Sequence, residues 1–318
     1  MDFSPRWFSR CVGVFVVALA AQLRAETFRV ATYNVENYLD QPTESRPRAK
    51  SPEAKAKVRE QILALRPDVI ALEEMGTTNA LLELRAALKA GGLDLPHWEF
   101  VNGHDTNIHV VVLSRFPFIA RRPHTNDQFL LEGRRLRVSR GFAEVDVQVN
   151  PRCTFTLIAA HLKSRRVVSV ADEAAMRLEE AKMLRNIVDA RLTNNPAARL
   201  IVLGDFNDYP DARSTKTILG RGRNRLIDTR PVERHDDCPK VDSNIAESRT
   251  VAWTHHYGVE DLFSRIDYIL ISPALKRSWV TDETYVLARP GWGIASDHRP
   301  LVATFDTERD PDLALKPK

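Results

Sequence analysis

The chain has 318 residues, 43% of them hydrophobic and 28% charged, with 13 glycines and 18 prolines. This balance excludes a collagen-like, low-complexity or generally disordered chain, and the length suffices for one large core or two modest domains. The formal net charge is +4, but Arg6, Arg10 and Arg24 against Asp2 place +2 of it within the first 25 residues, so global charge identifies no partner.

The N-terminus comes first in chain order. Arg6 and Arg10 precede the apolar run Cys11–Ala21, and Gln22-Leu23-Arg24-Ala25 follow. A basic start, a short apolar run and a small residue at the cut make up a secretory signal, so cleavage is expected after Ala25 and the mature protein is expected to be secreted or periplasmic. The alternative is an uncleaved anchor, although the run falls short of the roughly 18–20 apolar residues of a membrane span. Removing the signal leaves Cys153 and Cys238, which outside the cytosol either pair or remain thiols.

Phe28–Tyr33 reads as an opening strand. Ser51-Pro52-Glu53 has the form of a helix start, and Ala54, Val58, Ile62 and Leu65 continue it as an amphipathic stripe ending at Pro67. Val69–Leu72 follows as a short buried strand, and Ala80–Ala90 as a second helix closed by Gly91-Gly92. Strand-like runs come next at Val110–Leu113, Phe142–Val149 and Phe155–Ala160, with a loop expected before Phe142. Asp172–Arg191 is the longest helical pattern, and Leu200–Leu203, Ile266–Ile271, Thr284–Leu287 and Leu301–Phe305 complete the strands. Helices interleaved with strands indicate layered α/β structure. The simplest division is one catalytic domain over residues 26–306, preceded by the signal (1–25) and followed by a polar tail (307–318).

Polar residues repeatedly stand at or just beyond these apolar runs: Asn34 after FRVATY, Glu73 and Glu74 after VIAL, His161 after TLIAA, Asp205 and Asn207 after IVLG, Asp267 within SRIDYIL, and Asp297-His298 after GIAS. Strand ends on a rigid sheet present side chains to a shared cleft. Oxygen donors without thiolates suit Mg²⁺, Mn²⁺ or Ca²⁺, and such a set could polarise a phosphate and orient a water. Each residue alone has an ordinary structural explanation: a cap, a side-chain turn or a hydrogen-bonded histidine.

The blocks ATYNVENY (31–38), DVIALEEM (68–75), VVLSRFPF (111–118), AAHLKS (159–164), VLGDFND (202–208), SRIDYILIS (264–272) and SDHRPLVATF (296–305) make the chain resemble the endonuclease/exonuclease/phosphatase superfamily of DNase I-like phosphoesterases. The resemblance implies a four-layered α-β-β-α sandwich with the site at one edge. It implies that Asn34, Glu74 and Asp297 hold a divalent ion (Mg²⁺, with Mn²⁺ or Ca²⁺ possible) or the phosphate beside it. Asp205 is implied to orient or deprotonate the attacking water, helped by Asn207. His298, oriented by Asp267, and His161 are implied to contact the phosphate. Glu73 stands where the family usually has Gln, and it is set aside as a supporting or surface carboxylate. The acidic partner that some secreted nucleases give their first histidine has no match.

Basic clusters near these blocks bear on the substrate. Lys163 and Arg165 directly follow His161 and are the foremost candidates for phosphate contact; Arg134, Arg135, Arg137 and Arg140, and Arg221, Arg223 and Arg225, form two more clusters. Trp253, His255, His256 and Tyr257 either stack on bases or pack their own loop. No exposed aromatic hairpin for membrane docking is evident. The leading expectation is a secreted metal-dependent nuclease acting on DNA or RNA. The alternative is a phosphatase or phosphodiesterase for small phosphoesters or lipid headgroups. A catalytically dead binding protein on the same fold would be expected to lose one of Glu74, Asp205, Asn207, Asp267 or His298, and all are present.

Overall fold

The first helix shows how local chemistry sets the elements. In the computed structural model, which describes residues 27–235 and 253–313, Ser51 accepts a hydrogen bond from the Ala54 N–H, Pro52 occupies the first turn, and Arg66 ends the helix in a left-handed conformation. Val58, Ile62 and Leu65 form its buried stripe, as their spacing requires. The expected signal, its cut after Ala25 and Cys238 lie outside the described residues.

In chain order the elements are β1 (Thr27–Tyr38), α1 (Pro52–Leu65), β2 (Val69–Met75), α2 (Thr78–Ala90), β3 (His97–Val101), β4 (His109–Ser114) and β5 (Phe118–Arg121). The hairpin β6 (Gln128–Leu131) and β7 (Arg134–Arg137) comes next, then β8 (Phe142–Asn150), β9 (Cys153–His161), α3 (Glu173–Asn194), β10 (Leu200–Asp205) and α4 (Arg213–Leu219). The last third holds β11 (Ile227–Asp228), β12 (Val232–His235), the hairpin β13 (His255–Tyr257) and β14 (Leu262–Ser264), β15 (Asp267–Ile271), β16 (Trp279–Ala288), α5 (Trp292–Ala295) and β17 (Leu301–Asp306).

The strands form a seven-stranded sheet in the order β12-β16-β17-β1-β2-β4-β3 and a six-stranded sheet in the order β11-β15-β10-β9-β8-β5. Between them lies one core, with Phe28, Val30, Val112 and Phe305 from the first sheet meeting Val145, Phe155, Leu157, Leu203 and Ile269 from the second. Phe28 stacks on both Phe155 and Phe305, at 5.3 Å between ring centres in each case. Helices α1 and α2 cover the outer face of the first sheet through Val58, Ile62, Leu81 and Leu84, and α3 covers the outer face of the second through Ala181, Leu184 and Val188. The result is an α-β-β-α sandwich, as the sequence blocks implied.

Two expectations need correction. Arg134–Arg137 is not loop but strand β7: Leu136 pairs with Phe129 and packs toward α3 while the arginines point outward, an alternation too short to read through the charge. The polar tail does not begin at 307, because Leu313 enters the inter-sheet core and Asp310, also buried, lies 3.5 Å from Arg199.

Candidate active site

The site grows out of the same alternation that builds the core. Along β1, Phe28 and Val30 face the other sheet, so Thr32 and Asn34 continue that face. By the same period Val69 and Ala71 lead to Glu73 on β2, Leu157 and Ala159 to His161 on β9, Ile201 and Leu203 to Asp205 on β10, and Ile269 back to Asp267 on β15. Register then sets them side by side: Asp205 pairs with His161 on one flank and Asp267 on the other, and Asn34 pairs with Glu73 on the facing sheet. The apolar layer therefore ends in polar residues at one edge of the sandwich.

Glu74 breaks this pattern. Alternation alone would turn it toward α1, but β2 shifts register against β4 between Leu72 and Met75, and Glu74 itself has φ 63°. The irregularity re-aims the side chain into the cleft, where Oε2 accepts from the Asn37 N–H (2.9 Å) and Oε1 lies 3.5 Å from the Asn34 amide nitrogen. Glu73 stays on the inner face, fully buried, and accepts from Thr32 Oγ1 at 2.8 Å. Burial pushes its carboxyl well above the usual range.

Asp205 is the point of convergence. Its Oδ2 accepts from Asn34 Nδ2 (3.0 Å) and Asn207 Nδ2 (3.2 Å), and its Oδ1 from the Asn207 N–H (2.8 Å). His161 Nε2 stands 3.4 Å and His298 Nε2 3.8 Å from the same Oδ2. Burial, reinforced by the charge of Asp267, pushes Asp205 up to about 7. Two backbone positions make this geometry possible. Gly204 has φ 130°, and a Cβ there would lie 2.0 Å from the Ala160 carbonyl oxygen. Asn207 has φ 54° and ties its amide to the Leu162 carbonyl.

The two histidines carry opposite electrostatics. Burial opposes a charge on His298, but Asp267 at 2.9 Å from Nδ1, with Asp205 beyond, outweighs it and raises the imidazole well above its ordinary value. His298 is thus a cationic donor aimed past Asp205. His161 is driven well below its ordinary value by burial and by Arg140, so it is neutral. Its Nδ1 is buried with no hydrogen-bond partner among the described residues, in keeping with the missing acidic partner.

The SDH segment is held in place by contacts that the sequence did not reveal. Ser296 Oγ donates to the Asn34 carbonyl and accepts from the His298 N–H. Thr254 Oγ1 accepts from the Ile266 and Asp267 N–H groups, and the Thr254 carbonyl accepts from the Arg299 N–H. His255 lies against the His298 ring, 4.6 Å between centres, with Nε2 3.6 Å from Asp297 Oδ2. No periodicity marks Ser296 and Thr254, which lie in loops, or His255, which opens the three-residue strand β13.

The substrate candidates diverge. Lys163 is buried, and its ammonium bonds the Ser164 and Arg166 carbonyls. Arg165 is exposed, stacked on Tyr209 (3.9 Å) and bonded through Nε to the Asn207 carbonyl. Arg166, Arg135 and Arg137 are exposed as well, and Arg134 of the β6–β7 hairpin donates to the Val170 carbonyl of the loop that carries Arg165 and Arg166. On the other flank, the β13–β14 hairpin exposes Tyr257, Val259, Leu262 and Phe263. This corrects the expectation that no exposed aromatic hairpin exists. Its strands, three residues each, are too short to show a pattern in the sequence.

Asn34, Glu74 and half-exposed Asp297 offer hard oxygen donors at an open edge, which fits a divalent ion. Asp205, Asp267 and His298, and His255, Asp297 and His298, are two further groups whose ligand atoms lie within 4.8 Å of one another. Among the described residues, no helix is long and apolar enough to cross a membrane.

The Endonuclease/Exonuclease/phosphatase family model matches residues 31–298. No curated protein sequence matches the chain. Among solved structures it is similar to sphingomyelinase C from Streptomyces griseocarneus (TM-score 0.56, 19% identity, covering 88% of this chain and 99% of that one). It is similar also to the human Nocturnin catalytic domain with bound sulfate (0.58, 17%, 88% and 97%) and to truncated TDP2 from Caenorhabditis elegans (0.57, 16%, 88% and 97%). At these identities the likenesses establish the fold.

Proposed function

Because the chain belongs to the endonuclease/exonuclease/phosphatase family, whose members are phosphoester hydrolases, we propose that it is an exported, divalent-metal-dependent phosphodiesterase that cleaves polynucleotides. The convergence of Asn34, Asn207, His161 and His298 on Asp205 supports the chemistry. Asp205 accepts a proton from a water held beside Asn207, and the water oxygen attacks phosphorus as the opposite P–O ester bond breaks. Cationic His298 holds a non-bridging oxygen and stabilises the charge that grows on it. Neutral His161 donates a second hydrogen bond through Nε2. The leaving oxygen takes its proton from bulk water at the open Asp297 side. A divalent ion held by Asn34, Glu74 and Asp297, with Mg²⁺ the first choice, supplies further charge neutralisation at the phosphate.

The exposed arginines carry the choice of a polynucleotide: Arg165 bonds the Asn207 carbonyl beside the site, and Arg135 and Arg137 lie on a hairpin whose Arg134 bonds the loop that carries Arg165, a set that suits a phosphate backbone. The test is cleavage of supercoiled plasmid with Mg²⁺ or Mn²⁺, with EDTA and Asp205→Ala as controls and a bis-aryl phosphodiester in parallel. Reversing both Arg135 and Arg137 to Glu should cut plasmid nicking by about tenfold or more and leave turnover of the small ester unchanged. Equal loss on both substrates, or an intact plasmid with an active small ester, defeats the polynucleotide reading.

The apolar β13–β14 hairpin favours a second reading, a lipid-headgroup phosphodiesterase like the sphingomyelinase C neighbour. Hydrolysis of sphingomyelin vesicles, absent on plasmid, would establish it. Export is tested by N-terminal sequencing of the protein recovered outside the cytoplasm, where Glu26 is the expected first residue.

A further inference from the structure

Arg165 has a geometry beyond its charge. Its Nε donates to the Asn207 carbonyl at 3.2 Å, and a terminal nitrogen lies 3.8 Å from Asp208 Oδ1. These acceptors lay the guanidinium over the ring of Tyr209, 3.9 Å from its centre, the arrangement in which a planar cation and an aromatic face attract each other. Asp208 fixes the pair. Its Oδ2 accepts from the Nε of buried Arg177 (3.1 Å) and from Ser214 Oγ (2.6 Å), and its Oδ1 from the Tyr209 N–H (3.1 Å). Buried Tyr268 donates its hydroxyl to the Asp208 carbonyl (2.8 Å), and the Ala212 N–H closes the turn on the Tyr209 carbonyl (3.1 Å). The ring is thus mounted two residues beyond Asn207, on the strand end that delivers Asp205.

Tyr209 is nonetheless 41% exposed. The guanidinium covers one face, so what stays open is the other face and the rim. We propose that Arg165 and Tyr209 form a stacking shelf for a nucleobase next to the scissile phosphate, and that the protein therefore prefers single-stranded over duplex polynucleotides. The proposal rests on the polynucleotide reading above and narrows it. In a duplex both faces of a base are covered by its neighbours, whereas an unpaired base can leave the stack and lay one face on the ring. Every base has such a face, so the shelf selects strandedness and not sequence. Arg165 contributes its plane here as well as its charge.

Three oligonucleotides of one sequence test this with Mg²⁺ or Mn²⁺: a single strand, its duplex, and the single strand with the nucleotides flanking one susceptible bond made abasic. The wild type should cut the single strand about tenfold or more faster than the duplex, and loss of the flanking bases should slow cleavage at that bond about tenfold. In Tyr209→Ala the ratio of intact to abasic rates should fall toward one, chiefly through KM, while Tyr209→Trp should keep it. Arg165→Lys, which keeps the charge and loses the plane, should lower the ratio as well. Both side chains are exposed, so the variants should melt as the wild type does. Equal rates on single strand and duplex, a ratio unmoved in Tyr209→Ala, or a full ratio in Arg165→Lys overturns the shelf. No cleavage of any of the three, with an active bis-aryl phosphodiester, overturns the polynucleotide reading instead.

Discussion

One wall of the cleft is made of unbroken strands and the other of broken ones. His161, Asp205 and Asp267 occupy consecutive ladder positions on β9, β10 and β15, each continuing the inner face of its strand. Opposite them, β1 shifts register between Asn34 and Tyr38 and β2 between Leu72 and Met75, with Glu36, Asn37 and Glu74 all at positive φ. The regular wall holds Asp205 and His161, which would handle the proton and meet the phosphate, and Asp267, which holds His298; the irregular wall holds Asn34 and Glu74, which would meet a cation. Ladder pairing fixes spacing to within the pleat, which suits a proton acceptor, whereas turns and bulges can bring oxygens from several directions around one point.

The strongest way to break this division is at Asp205. Asp205→Asn should leave the fold intact and lower turnover by about 10³-fold, within the range for loss of a general base; retention of most turnover would place proton transfer elsewhere. Gly204→Ala attacks the regular wall through its backbone. A Cβ meeting the Ala160 carbonyl at 2.0 Å, at φ 130°, should cost roughly 3–4 kcal/mol in denaturant unfolding. On the irregular wall, Glu74→Gln should lower activity by about 10²-fold and abolish the rise in melting temperature that Mn²⁺ gives the wild type.

A smaller effect concerns pH. Asp205 titrates near 7 in the folded chain against an ordinary value of 3.8, so its contribution to stability is complete below the lower value and is lost as pH rises through the higher one. Without metal, Asp205→Asn should therefore gain stability relative to wild type between about pH 4 and 7, as read from paired melts. A constant difference across that interval would show that Asp205 is ionised throughout. The smallest effect is the most discriminating between neighbours. Glu73 is buried on the inner face, and burial raises its carboxyl well above the usual range, so Glu73→Gln should leave activity and Mn²⁺ affinity near wild type while Glu74→Gln loses both.

The same contrast explains what could be read from the sequence. The regular wall was legible because TLIAAH, IVLGD and DYILI are each a short apolar run that ends or begins on a polar residue. The layers followed from the same alternation and from the capped stripe of α1. The irregular wall was legible only in part: the apolar runs placed Asn34, Asp297 and both Glu73 and Glu74 at their ends, but alternation turns Glu74 away from the cleft. The resemblance chose Glu74 over Glu73, and the bulge is what turns its side chain inward. His255 and Thr254 lie in or beside turns where backbone hydrogen bonds, not periodicity, decide direction, and the β13–β14 hairpin is too short to show a period.

The place of β1 has a consequence for biosynthesis. It is central in its sheet, between β2 and β17, so the first described strand to leave the ribosome is flanked by the last. The Asn34 carbonyl is likewise capped by Ser296, 262 residues downstream. A growing chain cannot complete this ladder until its C-terminal strand has emerged and docked, and such distant pairing is slow to form. The cleft is thus assembled only at the end of synthesis, and truncation before Leu301 should leave a chain without it.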